Sequence, residues 1–371
     1  MKLLLTGGGT GGHVYPALAV VEELLGDTSW GVARGDVAWV GGAHSVEERI
    51  LSKEGLAFHA VSVGALRGAS PVGAVRSLLR MARGSRQARA LLREFRPDVV
   101  MATGGYVSVP LVWATRAEGC PSLVYLPDMQ PGLAVKLLSR LARRVAVSFE
   151  SVARYFPRGK VLVSGYPVRR ALFSTSKEGA RQMLDLSAGP VLLVFGGSRG
   201  AHSINEAVRQ GLERLLQMAQ MVHISGSEDY QLLADARARL LPALQGRYHL
   251  YSYMYEQMTA ALVAADLVLS RAGAATLGEF PAVGLPAVLV PYPYAGQHQH
   301  VNADYLASHG AAQIVNDAEL GARLVDVVAG LLGDPGRLQA MSKAARALAV
   351  PGAAGLIARE LVNLAKAGHA G

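Results

Sequence analysis

Apolar residues in this chain fall into short runs and helical stripes that alternate from one end to the other. Leu3, Leu4 and Leu5 form a run of strand length, and beyond them Val14, Leu18, Val21 and Leu25 recur at helical spacing. Between the two lies Thr6 to Gly12, a stretch with five glycines. The pattern predicts strand, glycine turn, helix. It continues with strands at 37–40, 57–63, 98–102, 122–126 and 161–165 and helices at 46–54 and about 136–141. After the polar stretch 174–179 it restarts. A strand at 191–195 meets the glycine turn 196–201 and a helix from about 203; strands follow at 221–225, 249–251 and 267–269, with a last one at 286–291. A helix is expected at 258–265, a loop rich in Gln and His at 292–302, and a final helix at 353–367. One strand, glycine turn and helix in each half implies an α/β protein of two Rossmann-like domains facing each other across a cleft. The expected domains are 1–168 and 169–351, with a C-terminal helix, 352–367, packing back on the first.

The turns suggest a ligand. Glycine lets the backbone pass close to an anion and aim free N–H groups at it, and the following helix adds the positive end of its dipole. His13 stands at the mouth of the first such helix, a group able to carry a proton near neutral pH. Gly7, Gly9 and Gly12 fit the dinucleotide pattern G-x-G-x-x-G, but the next strand ends in Gly41-Gly42 rather than in an acid that would hold a ribose. A second turn, Thr103-Gly104-Gly105-Tyr106-Val107-Ser108, follows another strand, with Pro110 in the first turn of its helix. Neighbouring parallel strands end at one edge, so the two turns can wall one anion site. A third turn of small residues, 270–276, leads to Glu279, whose two acceptor oxygens suit a pair of ribose hydroxyls or simply face the helix dipole. Asp128, at a strand end, is a helix cap or a ligand contact. Gln297, His298, Gln299 and Asn302 suit sugar hydroxyls. His298 and His300 stand two apart, a poor metal pair, and no Asp-x-Asp occurs, so no dedicated metal site is expected.

Composition narrows the setting. Half of the 371 residues are apolar, enough for a large core. A single cysteine, Cys120, excludes an internal disulfide and a CxxC pair and suits a reducing compartment. No run reaches the eighteen apolar residues of a membrane span, so a cytosolic or peripheral protein is expected. The net charge of +9 is uneven: residues 1–170 hold 22 Lys and Arg against 12 Asp and Glu, the remainder 15 against 16. Residues 67–96 carry eight arginines against one acid, with Val75, Leu78, Leu79 and Ala82 at helical spacing. Such a helix can lie on an anionic bilayer, each basic group adding about 1 kcal/mol, or pack its stripe on the sheet as an ordinary surface helix. A nucleic-acid partner is disfavoured because few aromatics and no recognition motif accompany the arginines.

Read in order, Gly7 to His13, Thr103 to Tyr106, Gly165-Tyr166-Pro167-Val168-Arg169, Gly196-Gly197-Ser198-Arg199-Gly200-Ala201, Ser270-Arg271-Ala272-Gly273 with Thr276 and Glu279, and His298-Gln299 with Asn302-Ala303 resemble the MurG family of peptidoglycan glycosyltransferases over nearly the whole chain. The resemblance implies a GT-B enzyme that moves N-acetylglucosamine, with inversion, from UDP-N-acetylglucosamine to an undecaprenyl-diphosphate-linked muramyl-pentapeptide. It implies no cofactor and a peripheral place on the cytoplasmic face of the plasma membrane, against an anionic surface. Carried over by position, Glu279 holds the ribose, the main chain near Tyr255 reads uracil, and Ser198 and Arg169 contact the diphosphate. His298 and Gln299 meet the sugar, Thr276 joins the donor site, and Thr10, Gly11, Gly12 and His13 lie by the reacting centre. Gly8, Gly9, Thr10, Gly104, Gly105 and Tyr106 cradle the acceptor diphosphate. His13 is the expected base and Asp128 its rival. Where many relatives have His-Glu-Gln-Asn, this chain has Tyr125-Leu126-Pro127-Asp128, so a carboxylate replaces the amide that faces the donor sugar. Alternatives are a related enzyme with another lipid or soluble acceptor, a UDP-sugar epimerase, or a sugar-nucleotide-binding protein without catalysis.

Overall fold

The computed structural model describes residues 1–8, 11–64, 71–197, 200–293 and 298–369. The chain divides into two units, Met1–Arg169 with Val350–Gly371 and Arg170–Ala349.

Unit 1 is built on seven strands: β1 (Leu3–Thr6), β2 (Val37–Gly41), β3 (Ala57–Ala60), β4 (Val99–Ala102), β5 (Ser122–Leu126), β6 (Arg144–Val147) and β7 (Val161–Val163). They form one parallel sheet in the order β3-β2-β1-β4-β5-β6-β7. Every residue of β1, β4 and β5 is buried, as the near-continuous apolar runs require when helices cover both faces. The chain moves outward from β1 in one direction through β2 and β3, then returns to lay β4 on the other side of β1, pairing Thr6 with Ala102. That reversal makes a crevice outside the carboxyl ends of β1 and β4. Helices α1 (Gly11–Gly26), α2 (Val46–Lys53), α3 (Pro71–Phe95), α4 (Ser108–Ala117) and α5 (Leu133–Leu141) connect the strands. The C-terminal helix Ala353–His369 packs on α1 and β4, with Ile357, Ala358 and Leu361 fully buried. An ion pair at 2.6 Å between Arg144 and Glu360 ties it to β6.

Unit 2 repeats the plan with six parallel strands: β8 (Val191–Phe195), β9 (Gln220–Ile224), β10 (Tyr248–Tyr251), β11 (Leu267–Ser270), β12 (Ala287–Leu289) and β13 (Ala312–Ile314). Their order is β10-β9-β8-β11-β12-β13, and the direction again reverses beside the first strand, between β8 and β11. Leu192, Val194, Ile204, Val208, Leu267, Leu269 and Val288 lie in its core.

The structure corrects three expectations. Strands β6 and β13 are additional, so residues 286–291 do not hold the last strand. Both are short edge-side segments, RVAV and AQI, whose Arg and Gln hide the strand pattern. Residues 298–302 belong not to a loop but to a helix, His298–Ser308, which Asn302 anchors through its amide to the Ala272 carbonyl at 3.1 Å. Asp128 does not cap a helix, because α5 starts at Leu133 behind Gly132. In the arginine-rich segment the packing reading holds for one part of α3: Ala88, Leu91 and Leu92 are buried in the core, while Leu79 and Ala82 are exposed.

Candidate active site

At the switch point of unit 1 the turns after β1 and β4 press together. The Thr103 N–H continues the ladder to the Thr6 carbonyl at 2.9 Å, so the two chains leave the sheet side by side. A Cβ added to Gly7 would lie 1.9 Å from the Thr103 hydroxyl, and one on Gly105 would lie 2.7 Å from the Gly8 carbonyl oxygen. Gly104 and Gly105 both adopt positive φ, at 108° and 81°, which side chains resist. Only glycine allows this approach. The Ser108 hydroxyl then locks the second turn by donating to the Gly104 carbonyl at 2.7 Å.

His13 is the third residue of α1 and half-buried, and it bridges the turns: its Nδ1 stands 2.7 Å from the Thr103 carbonyl oxygen. A carbonyl only accepts, so Nδ1 carries the hydrogen, and in the neutral ring the lone pair is on Nε2. His13, Gly8, Gly104, Gly105 and Tyr106 are therefore brought together at one crevice, with Gly11 and Gly12 opening α1 beside it. Gly9 and Thr10 lie outside the described residues, as does Ser198.

Asp128 lies in the turn after β5, half-buried. Its charge adds to burial in pushing the Tyr125 hydroxyl well above its ordinary range, and Tyr125 in turn bonds the Ser148 hydroxyl at 2.7 Å. Arg169, the last residue of the first segment of unit 1, is held by an ion pair with Glu54 and lies over the Tyr15 ring, 5.4 Å from its centroid.

In unit 2 the turns after β8 and β11 occupy the corresponding place. Gly200 adopts φ +80°, and a Cβ there would lie 2.0 Å from the Ser225 carbonyl, so the first turn rests directly on the end of β9. Beneath it runs a closed polar network. Asn205 donates to the Ser225 carbonyl at 2.8 Å and to Asp229 at 2.7 Å, which leaves its carbonyl to accept from His223 Nε2 at 3.0 Å. The other ring nitrogen accepts from the Tyr248 hydroxyl at 2.8 Å. Burial holds His223 down at about 3, so it stays neutral. At the second turn, Arg271 donates to the Ser203 hydroxyl at 2.8 Å and to the Val290 carbonyl at 3.2 Å, pairs with Asp317, and lies over Tyr292. Thr276 is buried and donates to the Gly273 carbonyl at 2.7 Å; Glu279 follows within the helix Thr276–Val283, half-buried. His298 and Gln299 open the next helix, and the Gln299 side chain accepts from the Tyr292 N–H at 2.9 Å. Tyr255 lies in the turn that follows β10.

A cavity of about 400 Å³ in unit 2 opens elsewhere, beside Lys177, Asp266, Gly284 and Arg346 at the amino ends of β11 and β12. It contains none of the expected residues. Among the described residues no group of three or more His, Cys, Asp and Glu stands close enough to hold a metal ion. Sequence reasoning missed the Thr103 carbonyl that orients His13, because main-chain partners leave no compositional trace. It also missed the anchoring role of Arg271, which depends on Asp317, 46 residues away.

With this geometry described, comparison with known proteins gives a consistent result. The glycosyltransferase family 28 N-terminal domain matches residues 3–147 and the glycosyltransferase family 28 C-terminal domain residues 191–357. Two UDP-N-acetylglucosamine–N-acetylmuramyl-(pentapeptide) pyrophosphoryl-undecaprenol N-acetylglucosamine transferases are similar. That of Roseiflexus sp. is 41% identical, over 98% of this chain and 95% of its own, and that of Halothermothrix orenii 38%, over 99% and 100%. Acinetobacter baumannii MurG superposes with a TM-score of 0.73 at 26% identity, covering 97% of this chain and 98% of its own. UDP-GlcNAc 2-epimerase from Neisseria meningitidis, at a TM-score of 0.67 and 15% identity over 98% and 100%, shares the fold alone.

Proposed function

The chain belongs to the MurG family within glycosyltransferase family 28, and on that premise we propose that it moves N-acetylglucosamine from UDP-N-acetylglucosamine to an undecaprenyl-diphosphate-linked muramyl-pentapeptide, with inversion at the anomeric carbon. The observation that carries the mechanism is His13 standing on the Thr103 carbonyl between two glycine turns. The turns of unit 1, through Gly8, Gly9, Thr10, Gly104, Gly105 and Tyr106, hold the acceptor diphosphate on main-chain N–H groups. His13 Nε2 takes the proton of the attacking hydroxyl, a contribution on the order of a hundredfold or more. Gly11, Gly12 and Thr10 line the reacting centre. Unit 2 binds the donor: Glu279 holds the ribose hydroxyls, the main chain at Tyr255 reads uracil, Ser198 meets the diphosphate, Thr276 joins the donor site, and His298 and Gln299 meet the sugar; Arg169 of unit 1 is the further diphosphate contact. Charge grows on the departing UDP, where preorganised donors act most strongly. Asp128 faces the donor sugar and is the competing base.

The acceptor is lipid-linked, and the surface of unit 1 supports a peripheral place on an anionic membrane at the cytoplasmic face, where UDP-sugars are found. Leu79 of α3, Trp113 of α4 and Leu133 and Leu137 of α5 are exposed on helices that pack in sequence, α3 on α4 and α4 on α5. Arg80, Arg83, Arg86, Lys136 and Arg140 are exposed on the same helices. Among the described residues no helix is long and apolar enough to cross a membrane.

The test is incubation with UDP-N-acetylglucosamine and the lipid-linked muramyl-pentapeptide, followed by mass analysis. A lipid product heavier by one N-acetylhexosamine is expected, and unchanged lipid with intact donor overturns the reading. A sharp loss in Asp128→Asn with little loss in His13→Ala would transfer the role of base to Asp128.

A further inference from the structure

Strand β2 ends in glycines where a nucleotide-binding sheet of this type commonly carries an acid, yet a carboxylate reaches that place from α2. Glu47 lies in the first turn of α2, behind the Ser45 cap, and is only 3% exposed. Its stem crosses the end of β2, with Cγ 3.3 Å from a Cβ built on Gly41. Its Oε1 rests against the first glycine turn, 2.1 Å from a Cβ built on Gly8. The Gly8 carbonyl oxygen in turn stands 2.7 Å from a Cβ built on Gly105, so carboxylate, first turn and second turn stand in a row at the ligand edge of the sheet. Among the described residues Glu47 has no hydrogen-bond or ion-pair partner. A carboxylate so nearly enclosed and without a donor gains from one, and a ligand that supplies an O–H or N–H on binding accounts for its place here. The start of α2 offsets part of the charge but gives the oxygens no donor.

We propose that Glu47 is an acceptor-binding residue whose carboxylate accepts a hydrogen bond from an uncharged hydroxyl or amide N–H adjacent to the acceptor's diphosphate. The assignment rests on the two glycine turns of unit 1 being the acceptor's cradle. An ionised carboxylate has no hydrogen to give, so its partner brings an O–H or N–H, and it repels a second anion at that point. Glu47 thereby separates a sugar-bearing diphosphate from inorganic pyrophosphate, which the glycine turns alone would take.

The experiment compares full-length wild type, Glu47→Gln and Glu47→Asp in initial-rate assays, varying lipid-linked acceptor and UDP-N-acetylglucosamine separately, with inorganic pyrophosphate as inhibitor. Glu47→Gln is expected to raise the acceptor KM about ten- to hundredfold, to leave the donor KM within about twofold, and to strengthen pyrophosphate inhibition. A folded Glu47→Gln with an acceptor KM within about threefold of wild type overturns the proposal. If that variant does not fold, Glu47→Asp decides: it keeps the charge but withdraws it by one methylene, and an unchanged acceptor KM overturns the proposal equally. Gly105→Ala crowds the Gly8 carbonyl and tests the cradle separately. A raised acceptor KM there with none in Glu47→Gln removes Glu47 and keeps the cradle; an unchanged acceptor KM in folded Gly105→Ala overturns the cradle and the Glu47 assignment with it.

Discussion

Each unit places a histidine near the glycine turn that follows its first strand, and the surroundings assign the two rings opposite tasks. His13 in unit 1 uses one nitrogen to grip the Thr103 carbonyl and keeps the other available at a half-buried crevice. His223 in unit 2 is sealed beneath its turn with both nitrogens engaged, by Tyr248 and Asn205. The same imidazole keeps a nitrogen open at the crevice of unit 1 and is a neutral spacer in the closed network of unit 2. On the proposed mechanism the first serves the reaction and the second only holds its turn in place. Arg271 extends the second design, fixing the turn after β11 through Ser203, Val290 and Asp317.

The comparison breaks first at the largest expected effect. His13→Ala should lower kcat by about 10²- to 10⁴-fold with the donor KM within about twofold. His223→Gln should change kcat by no more than its loss of folded protein explains. Steady-state kinetics with thermal melts on both variants checks this; equal losses at intact folding would erase the distinction. Next comes Arg271→Ala, which leaves the Asp317 carboxylate without its cation, the Ser203 hydroxyl being its other donor, and takes a donor from Ser203 and from the Val290 carbonyl. It should cost about 3 kcal/mol of stability, read from urea unfolding, since breaking a largely buried pair is penalised by the charge left behind.

The pH dependence follows from His223. Burial holds it at about 3, whereas in the unfolded chain it titrates near about 6.5. On acidification the unfolded chain binds the proton first, so this contribution is complete above that value and is lost as pH falls toward 3. Between pH 7 and pH 5 the loss is about 2 kcal/mol. Urea unfolding at the two pH values should show that drop in wild type, and His223→Gln should reduce it by that amount.

How far these two designs could be read in the sequence depends on the range of the forces involved. Both glycine turns and most strands were legible because strand, turn and helix signals are local: Leu3 to Leu5 and Val191 to Phe195 are uninterrupted runs between breakers. Strands β6 and β13 were not, since a three- or four-residue segment holding Arg or Gln becomes a strand only when a neighbour supplies its ladder. The helix at His298 was hidden by a similar dependence. Its polar residues give no apolar stripe, and its hold on the fold is Asn302 bonding a carbonyl 30 residues earlier. Of the site, His13 was legible from its place after the glycines. What orients it was not, because the Thr103 carbonyl arrives with β4, 90 residues later. Glu47 carries no signal in the sequence, being one of two acids in the first turn of α2; only the sheet brings Gly8 against it.

The smallest effect sharpens the contrast on the surface. Leu133 of unit 1 is 76% exposed and Leu241 of unit 2 is 70% exposed, so their loss to solvent on unfolding is nearly alike. Replacing either by serine should leave stability within about 0.5 kcal/mol, because surface changes remove little packing. Their neighbourhoods differ: Leu133 has Lys136, Leu137 and Arg140 exposed on its own helix, beside α4 with exposed Trp113, a combination suited to an anionic bilayer. A leucine entering the headgroup boundary regains part of its transfer free energy, about 1 kcal/mol. Co-sedimentation with anionic vesicles should therefore weaken about fivefold in Leu133→Ser and remain at the wild-type value in Leu241→Ser. Equal behaviour of the two variants, in either direction, would show that unit 1 has no special claim on the membrane.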